Sequence, residues 1–368
     1  MPVYWTLFFI SLIMYYIEEI TLSPNGSISN LTPQFYKKER TIALITLIPL
    51  LFFLAFRDFV QDTYAYVAMF KVLPNISEIA DSPIYKSYGP VFSYSAAIFK
   101  YYIVDNHYWW FALLASINIW CIYKVCVKYS PNIALSIFFF IAGTTFTWCL
   151  NGTRQFLAVT LLFYFSKYLL EDKKYWYIVI VFLCSFIHRS AIFLIPLAFV
   201  VSSEKLYGKG MLLVVLATLV GVSFSDAILG SAMEIIGKQY VVEEGQGSTV
   251  LRLLFTCVPV ALSIIKIKTV KRLAPKAIIL GLNMSLIGSC FMFVATFTSG
   301  ILIGRMPAYF NIYNLYVLPW LLYNCFPNTT KLVINVFIIV YTIWFYFQMC
   351  VAWRGLPYVS EALNLYYF

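Results

Sequence analysis

A chain of 368 residues that is 62% hydrophobic and only 11% charged cannot cover itself with a solvated surface, because a soluble domain carries about 25% charged residues. Its formal charge of +10 does not mark a nucleic-acid binder, since no RNA- or DNA-binding motif accompanies it and the basic residues sit in short loops between apolar runs. The eight cysteines fall mostly inside those runs and form no Cys-x-x-Cys pair, which points to buried, inert thiols rather than a metal or disulfide framework.

In chain order, the apolar runs predict membrane helices at roughly 3–21, 41–56, 108–127, 132–150, 155–170, 175–187, 190–201, 211–229, 250–265, 277–299, 306–323 and 332–351. The hydrocarbon core of a bilayer is roughly 30 Å thick, and a backbone inside it must satisfy its own hydrogen bonds. That leaves a helix bundle or a closed barrel, and the runs lack the two-residue alternation of barrel strands. The expected fold is all-α, a polytopic integral membrane helix bundle of about 12 spans, forming a single transmembrane domain over residues 1–368. The first run, Tyr4 to Tyr16, lacks the basic start and small-residue cleavage site of a signal peptide and is expected to be a retained span.

Lysine clusters orient these spans. Lys37, Lys38 and Arg40, then Lys124 and Lys128, Lys173 and Lys174, Lys205 and Lys209, and finally Lys266, Lys268, Lys271, Arg272 and Lys276 are assigned to the inner face. Two stretches must bend to satisfy this. Residues 57–107 become an outer loop in which Val91 to Val104, after Gly89-Pro90, forms an interfacial or re-entrant helix. The long run from Tyr175 to Val201 must break at His188-Arg189-Ser190, as helices lining a polar cavity do. A second outer loop, 230–249, carries Glu234, Glu243 and Glu244 and is expected to be a short amphipathic helix or lid.

With that threading, six of the eight arginines fall outside, namely Arg57, Arg154, Arg189, Arg252, Arg305 and Arg354. Positive-inside topology does not ask for this. Arginine is suited to bidentate phosphate recognition and stays charged when partly desolvated. The plainer alternative is that these side chains snorkel to lipid headgroups.

Four local patterns gather the polar residues. They are Arg57-Asp58-Phe59-Val60-Gln61-Asp62-Thr63-Tyr64-Ala65-Tyr66, Asn151-Gly152-Thr153-Arg154-Gln155-Phe156-Leu157-Ala158, Phe186-Ile187-His188-Arg189-Ser190-Ala191 and Gly304-Arg305-Met306-Pro307-Ala308-Tyr309-Phe310. The second and fourth are expected where a loop runs into a helix, a place that favours an anion through free backbone N–H groups and the dipole. Asp62 has a plain alternative as an ion-pair partner of Arg57, and the lone His188 as a satisfied structural residue.

Together the patterns resemble the EpsG family of bacterial polysaccharide polymerases, the group that includes many Wzy-type O-antigen polymerases, over about Phe56 to Pro319. Arg154-Gln155-x-x-Ala158 followed some thirty residues later by His188-x-Ser190 is the most specific part. The chain departs from the family where Val60-Gln61 stands in place of a glycine, and where Tyr88-Gly89-Pro90 replaces an acidic residue. The resemblance implies a GT-C-like membrane enzyme in the bacterial inner membrane with its active site facing the periplasm. It would join undecaprenyl-diphosphate-linked oligosaccharide repeat units into O-antigen, capsule or exopolysaccharide, as a glycosyltransferase. Arg154 and Arg305 would stabilise the departing diphosphate, with His188 or Asp62 as general base. Arg57, Gln155, Arg189, Tyr309 and Tyr66 would bind diphosphate or sugar. No cofactor is implied, and without a dense outward carboxylate cluster the chemistry is expected to need no divalent metal. Expected partners are the lipid-linked glycans, membrane lipid, and a chain-length regulator and flippase of the same pathway. Two rivals are an O-antigen ligase and a non-enzymatic flippase of lipid-linked oligosaccharide.

The threading has a direct test. In a background without native cysteines, single cysteines at Gly89, Asn151 and Gly300 should react with an impermeant thiol reagent from outside, and one at Lys271 should not. Labelling at Lys271, or protection of the other three, overturns the topology.

Overall fold

The structure, a computed structural model, describes residues 1–22, 33–223, 248–298 and 303–367. The expected lid at 230–249 lies outside the described residues except for its last two positions. In chain order the helices are α1 (Pro2–Leu22), α2 (Pro33–Ala55), α3 (Thr63–Lys71), α4 (Pro83–Tyr88), α5 (Pro90–Tyr102), α6 (His107–Tyr129), α7 (Ile133–Ala142), α8 (Thr147–Leu150) and α9 (Thr153–Phe165). They continue as α10 (Lys167–Leu170), α11 (Lys174–Ser185), α12 (Leu194–Val200), α13 (Lys209–Ser223), α14 (Val250–Ile265), α15 (Ile267–Leu273), α16 (Lys276–Phe297), α17 (Ala308–Asn311), α18 (Asn314–Cys325) and α19 (Thr330–Tyr346). Among the described residues the only sheet is an antiparallel pair, β1 (Tyr358–Ser360) with β2 (Leu365–Tyr367), in which Val359 faces Tyr366.

The chain forms two compact units. The first comprises Met1–Leu161, Phe186–His188 and Thr329–Phe368, and the second Leu162–Ser185 and Arg189–Asn328. In the first, side-chain caps start the helices where the sequence supplies them. Ser82 accepts the Tyr85 N–H at 3.3 Å before Pro83, Asn106 that of Tyr108 at 2.9 Å, and Asn132 that of Leu135 at 2.6 Å, each satisfying a donor the helix leaves orphaned. The apolar face of α6 (Trp110, Phe111, Leu114) packs with Phe70 and Phe92. One polar link crosses this core, Thr160 donating to Asn118 at 2.7 Å. The ends of the unit also meet: the ring of Tyr4 lies 6.4 Å from that of Tyr358.

The expected interfacial segment is a helix, α5, and the expected break at His188 is present between α11 and a 3-10 turn at Arg189–Phe193. The count of about 12 spans is not confirmed. Among the described residues, four helices are long and apolar enough to cross a membrane: Pro2–Thr21, His107–Tyr129, Lys276–Phe297 and Thr330–Ala352. The pair α14 and α15, bent by 79°, makes a fifth if counted as one span. Other apolar runs are helical but interrupted. The run 132–150 turns at Thr144, whose φ is +60°, leaving α7 with ten residues and α8 with four. At 1.5 Å per residue, ten residues rise only about 15 Å, half of a bilayer core.

The second unit is organised on α16, which presents small residues to α17 and α18. A Cβ at Gly281 would collide with Val317 and Tyr316, and one at Gly288 with Asn311 and Phe310. This is the close backbone approach that small residues allow in membranes. Tyr316 then donates to the Ala277 carbonyl at 3.1 Å, and Ser285 to Asn314. Asn283, fully buried, donates to the carbonyls of Ser202 (2.7 Å) and Lys205 (3.0 Å) and accepts the Tyr207 N–H (2.9 Å). Gly281→Leu or Gly288→Leu should therefore overpack the contact and cost about 1–3 kcal/mol. Thermal unfolding of the detergent-solubilised protein should show a lower midpoint for both variants, and an unchanged midpoint would contradict this packing.

Candidate functional site

The first two motifs are brought together in the first unit, and the joint is Arg57. Its side chain is 2% exposed, and every guanidinium nitrogen donates within the protein. Nε reaches Thr63 Oγ1 at 3.1 Å, one terminal nitrogen reaches the Leu54 carbonyl, and the other reaches the Cys149 carbonyl at 3.0 Å and Thr153 Oγ1 at 3.3 Å. Leu54 and Cys149 lie in the last turns of α2 and α8, where carbonyls lack helical donors and the dipole favours a cation. The Phe111 ring lies 4.3 Å beneath the guanidinium carbon. Burial lowers the Arg57 pKa to about 10, with Cys149 and nearby tyrosines opposing, so the group stays protonated at neutral pH. Arg57, expected at the substrate, is thus spent on protein partners, and the alternative ion pair with Asp62 is not what its nitrogens make.

Thr63 extends the joint by donating to the Leu150 carbonyl at 2.8 Å, and Asn151 donates to Gln61 Oε1 at 2.6 Å. Gln61 (φ +46°) and Gly152 (φ +86°) are both left-handed, the conformation glycine takes at little cost. Gly152 turns the chain into α9, so Arg154 sits in that helix's first turn, as expected from the sequence. Arg154 is half-buried. One terminal nitrogen donates to the Tyr88 carbonyl at 2.5 Å, and its guanidinium carbon lies 5.0 Å from the Tyr88 ring centroid and 6.0 Å from that of Phe92. Its Nε is buried without a hydrogen-bond partner among the described residues. Tyr66, buried, packs edge-on against Tyr88 and Phe92. Gln155 is 2% exposed, Asp62 is half-buried immediately before α3, and His188 is half-buried.

The other two motifs meet in the second unit. Ser190 and Tyr309 share a hydrogen bond at 3.0 Å, with Tyr309 buried. Arg189 is exposed and Arg305 half-buried. Here one expectation is corrected. Arg305 does not open a long helix at 306–323. It ends a three-residue 3-10 turn, and the following helix α17 has four residues before α18 begins at Asn314. The dipole support that Arg154 receives is therefore missing at Arg305.

A family model described as the EpsG family matches residues 40–360, spanning all four motifs. This chain belongs to the EpsG family. No curated protein and no solved structure matches it.

The EpsG match also takes in residues to which the sequence alone assigned no role, Asp58 and Phe59 of the first motif among them. Asp58 accepts from Tyr108 at 2.6 Å and lies 2.8 Å from His107 Nε2. Asp58 and Phe59 pair with Val359 of the C-terminal hairpin, and the buried Tyr358 hydroxyl lies 2.9 and 2.7 Å from the Phe53 and Phe56 carbonyls. Only the strand-forming Tyr-Val pair at 358–359 hinted at this, and nothing in the sequence gives its partner.

Losing the Arg57 joint should be costly, because it would take the charged donor from two buried helix-end carbonyls and two threonine hydroxyls. Arg57→Ala is expected to lower stability by about 3 kcal/mol or more, and Arg57→Lys by nearly as much, since an ammonium cannot span all four acceptors. Arg354→Ala, at an exposed position, should change little. Melting midpoints of the three purified variants decide the matter.

Proposed function

We infer from membership of the EpsG family and from the long apolar helices that this is a membrane protein of polysaccharide biosynthesis. We propose that it is a polymerase that joins undecaprenyl-diphosphate-linked oligosaccharide repeat units on the periplasmic face of the bacterial inner membrane. The observation that supports this most is the contrast between two arginines of one unit. Arg57 is consumed by the protein, whereas Arg154 is half-buried in the first turn of α9, its Nε without a hydrogen-bond partner among the described residues, beside the ring of Tyr88. A guanidinium so placed, backed by a helix N-terminus, suits an anionic group, and an adjacent tyrosine face suits a sugar ring.

In the proposed reaction, a hydroxyl oxygen of the acceptor sugar attacks the anomeric carbon of the lipid-linked glycan. The new glycosidic bond forms as the bond from that carbon to the diphosphate oxygen breaks. The electron pair leaves with the diphosphate, and the hydroxyl proton passes to a base. Arg154 stabilises the charge that grows on the diphosphate, an effect worth most in a water-poor setting. His188 is the proposed base, because an imidazole accepts protons near neutral pH, with Asp62 as the alternative. In the second unit Arg305 is proposed to bind an anionic group of the substrate, with Arg189 and Tyr309 as further substrate contacts, on the strength of its motif. Arg57 takes the part of a brace, and Tyr66 and Gln155 support the wall and turn around Arg154. The arginines supply the charge that a divalent metal would otherwise carry.

The test is the ladder of lipid-linked glycan lengths made by cells carrying each variant, with protein level measured in parallel. Arg154→Ala and Arg305→Ala should each cut polymerisation about 10²–10³-fold while the protein still accumulates. Arg154→Lys should rescue poorly because a point charge lacks the planar fork. Normal ladders in both alanine variants would remove these residues from the chemistry. Deletion of the gene separates the rivals: single repeat units on the lipid mean a polymerase, long unattached polymer a ligase, and precursor trapped inside a flippase.

A further inference from the structure

The Asp58 cluster is not used by the reaction just described, yet it is among the densest polar networks of the first unit. Its carboxylate receives hydrogen bonds from two elements. Oδ1 takes His107 Nε2 at 2.8 Å, while Oδ2 takes the Tyr108 hydroxyl at 2.6 Å and the Glu361 N–H at 2.8 Å. The Tyr108 hydroxyl in turn accepts the Ala362 N–H at 3.3 Å. Only 13% of the Asp58 side chain and 12% of the His107 side chain are exposed. Withdrawing a carboxylate from water is costly unless hydrogen bonds replace the hydration, and here three donors do so.

The backbone on either side of Asp58 is fixed by the same hairpin. The Asp58 N–H donates to the Val359 carbonyl at 2.8 Å, and Phe59 exchanges both backbone bonds with Val359, at 3.2 and 3.0 Å. Tyr358, fully buried, places its hydroxyl on the carbonyls of Phe53 and Phe56 at the end of α2. Residues 56–59 are therefore clamped between α6 and the hairpin. Arg57 springs from that clamped stretch and runs to Cys149 and Thr153, the residue before Arg154.

We infer that Asp58 is a positioning residue for Arg154, acting through Arg57, and that the C-terminal hairpin is the clamp that holds it. The carboxylate and Tyr358 fix where the Arg57 backbone lies, Arg57 fixes the turn at 149–153, and the turn fixes where the Arg154 guanidinium points. A displacement of about 1 Å at a catalytic group can cost 10²-fold in rate, so a brace several residues away is enough to govern turnover. The inference rests on the proposed role of Arg154.

The experiment uses the full chain in nanodiscs with a lipid-diphosphate-linked repeat unit. Hydrogen exchange is followed in a peptide covering residues 149–156, and kcat and KM are measured in parallel. In Asp58→Ala, exchange at 149–156 should rise at least tenfold while α16 is unchanged, and kcat should fall at least tenfold with a smaller change in KM. Asp58→Asn should recover most of both, because the amide oxygen still accepts from Tyr108 and Glu361 and its nitrogen can face His107. Tyr358→Phe, which removes only the hydroxyl, should shift both readings in the same direction by less, and serves if the alanine variant does not fold. Unchanged exchange at 149–156 in Asp58→Ala and Tyr358→Phe overturns the inference, as does loosening that spreads equally over α1, which would mark a merely structural role. If the wild-type protein makes no polymer, the polymerase proposal fails while the exchange data still decide whether Asp58 holds the turn.

Discussion

One buried cation holds the first unit to its candidate site. The Arg57 guanidinium lies where the last turns of α2 and α8 and the start of α9 converge, and it gives the Leu54 and Cys149 carbonyls a charged donor. Lysine offers a single compact ammonium, whereas the guanidinium reaches in several directions within one plane. Burying a charge is justified here by the number of acceptors it meets, including two hydroxyls, and by the Phe111 face below it. Thr63 and Gln61 add two further ties between the stretch after α2 and the turn that carries Arg154.

Arginines that look alike in sequence have therefore been assigned different tasks by burial. Arg57 and Arg154 both stand in polar motifs at the end of an apolar run, and both were expected at the substrate. The surrounding helices decide between them. Arg57 is enclosed by helix ends that need a cation, while Arg154 faces an aromatic wall built by Tyr88, Phe92 and Tyr66, with spare hydrogen-bonding capacity. Arg305 belongs to the second unit and ends a short 3-10 turn there.

Much of the local structure was legible in the sequence. The break at His188, the helix after Gly89-Pro90 and the helix beginning at Thr153 all follow from Gly, Pro and polar residues interrupting apolar runs. The span count was not legible, because hydropathy cannot distinguish a crossing helix from one that stops halfway. At Gly143-Thr144-Thr145, and between Asn311 and Asn314, the chain breaks at small or polar residues too few to interrupt the apolar run around them. The pairing of motifs was also hidden. Asp58 with His107 and Tyr108, and Phe59 with Val359, join residues remote in sequence, and no local pattern marks them. The four motifs that carried the family resemblance all lie within the family match over 40–360.

The order in which the chain is made gives the hairpin a further significance. The first unit is discontinuous: Met1–Leu161 is synthesised, then the whole second unit with Phe186–His188 inside it, and only then Thr329–Phe368. Leu54, Thr63, Cys149 and Thr153 can gather around Arg57 early, but Val359 and Glu361 arrive after the second unit has emerged. Domains generally fold as units during synthesis, yet this one has to wait. Until the hairpin docks, the stretch from Phe56 to Phe59 lacks its clamp, and the nascent protein holds a framework whose critical turn is not yet set. Assembly of the candidate site thus becomes a late event, and an insertion that delays the hairpin would prolong the immature state without touching any residue proposed to meet substrate.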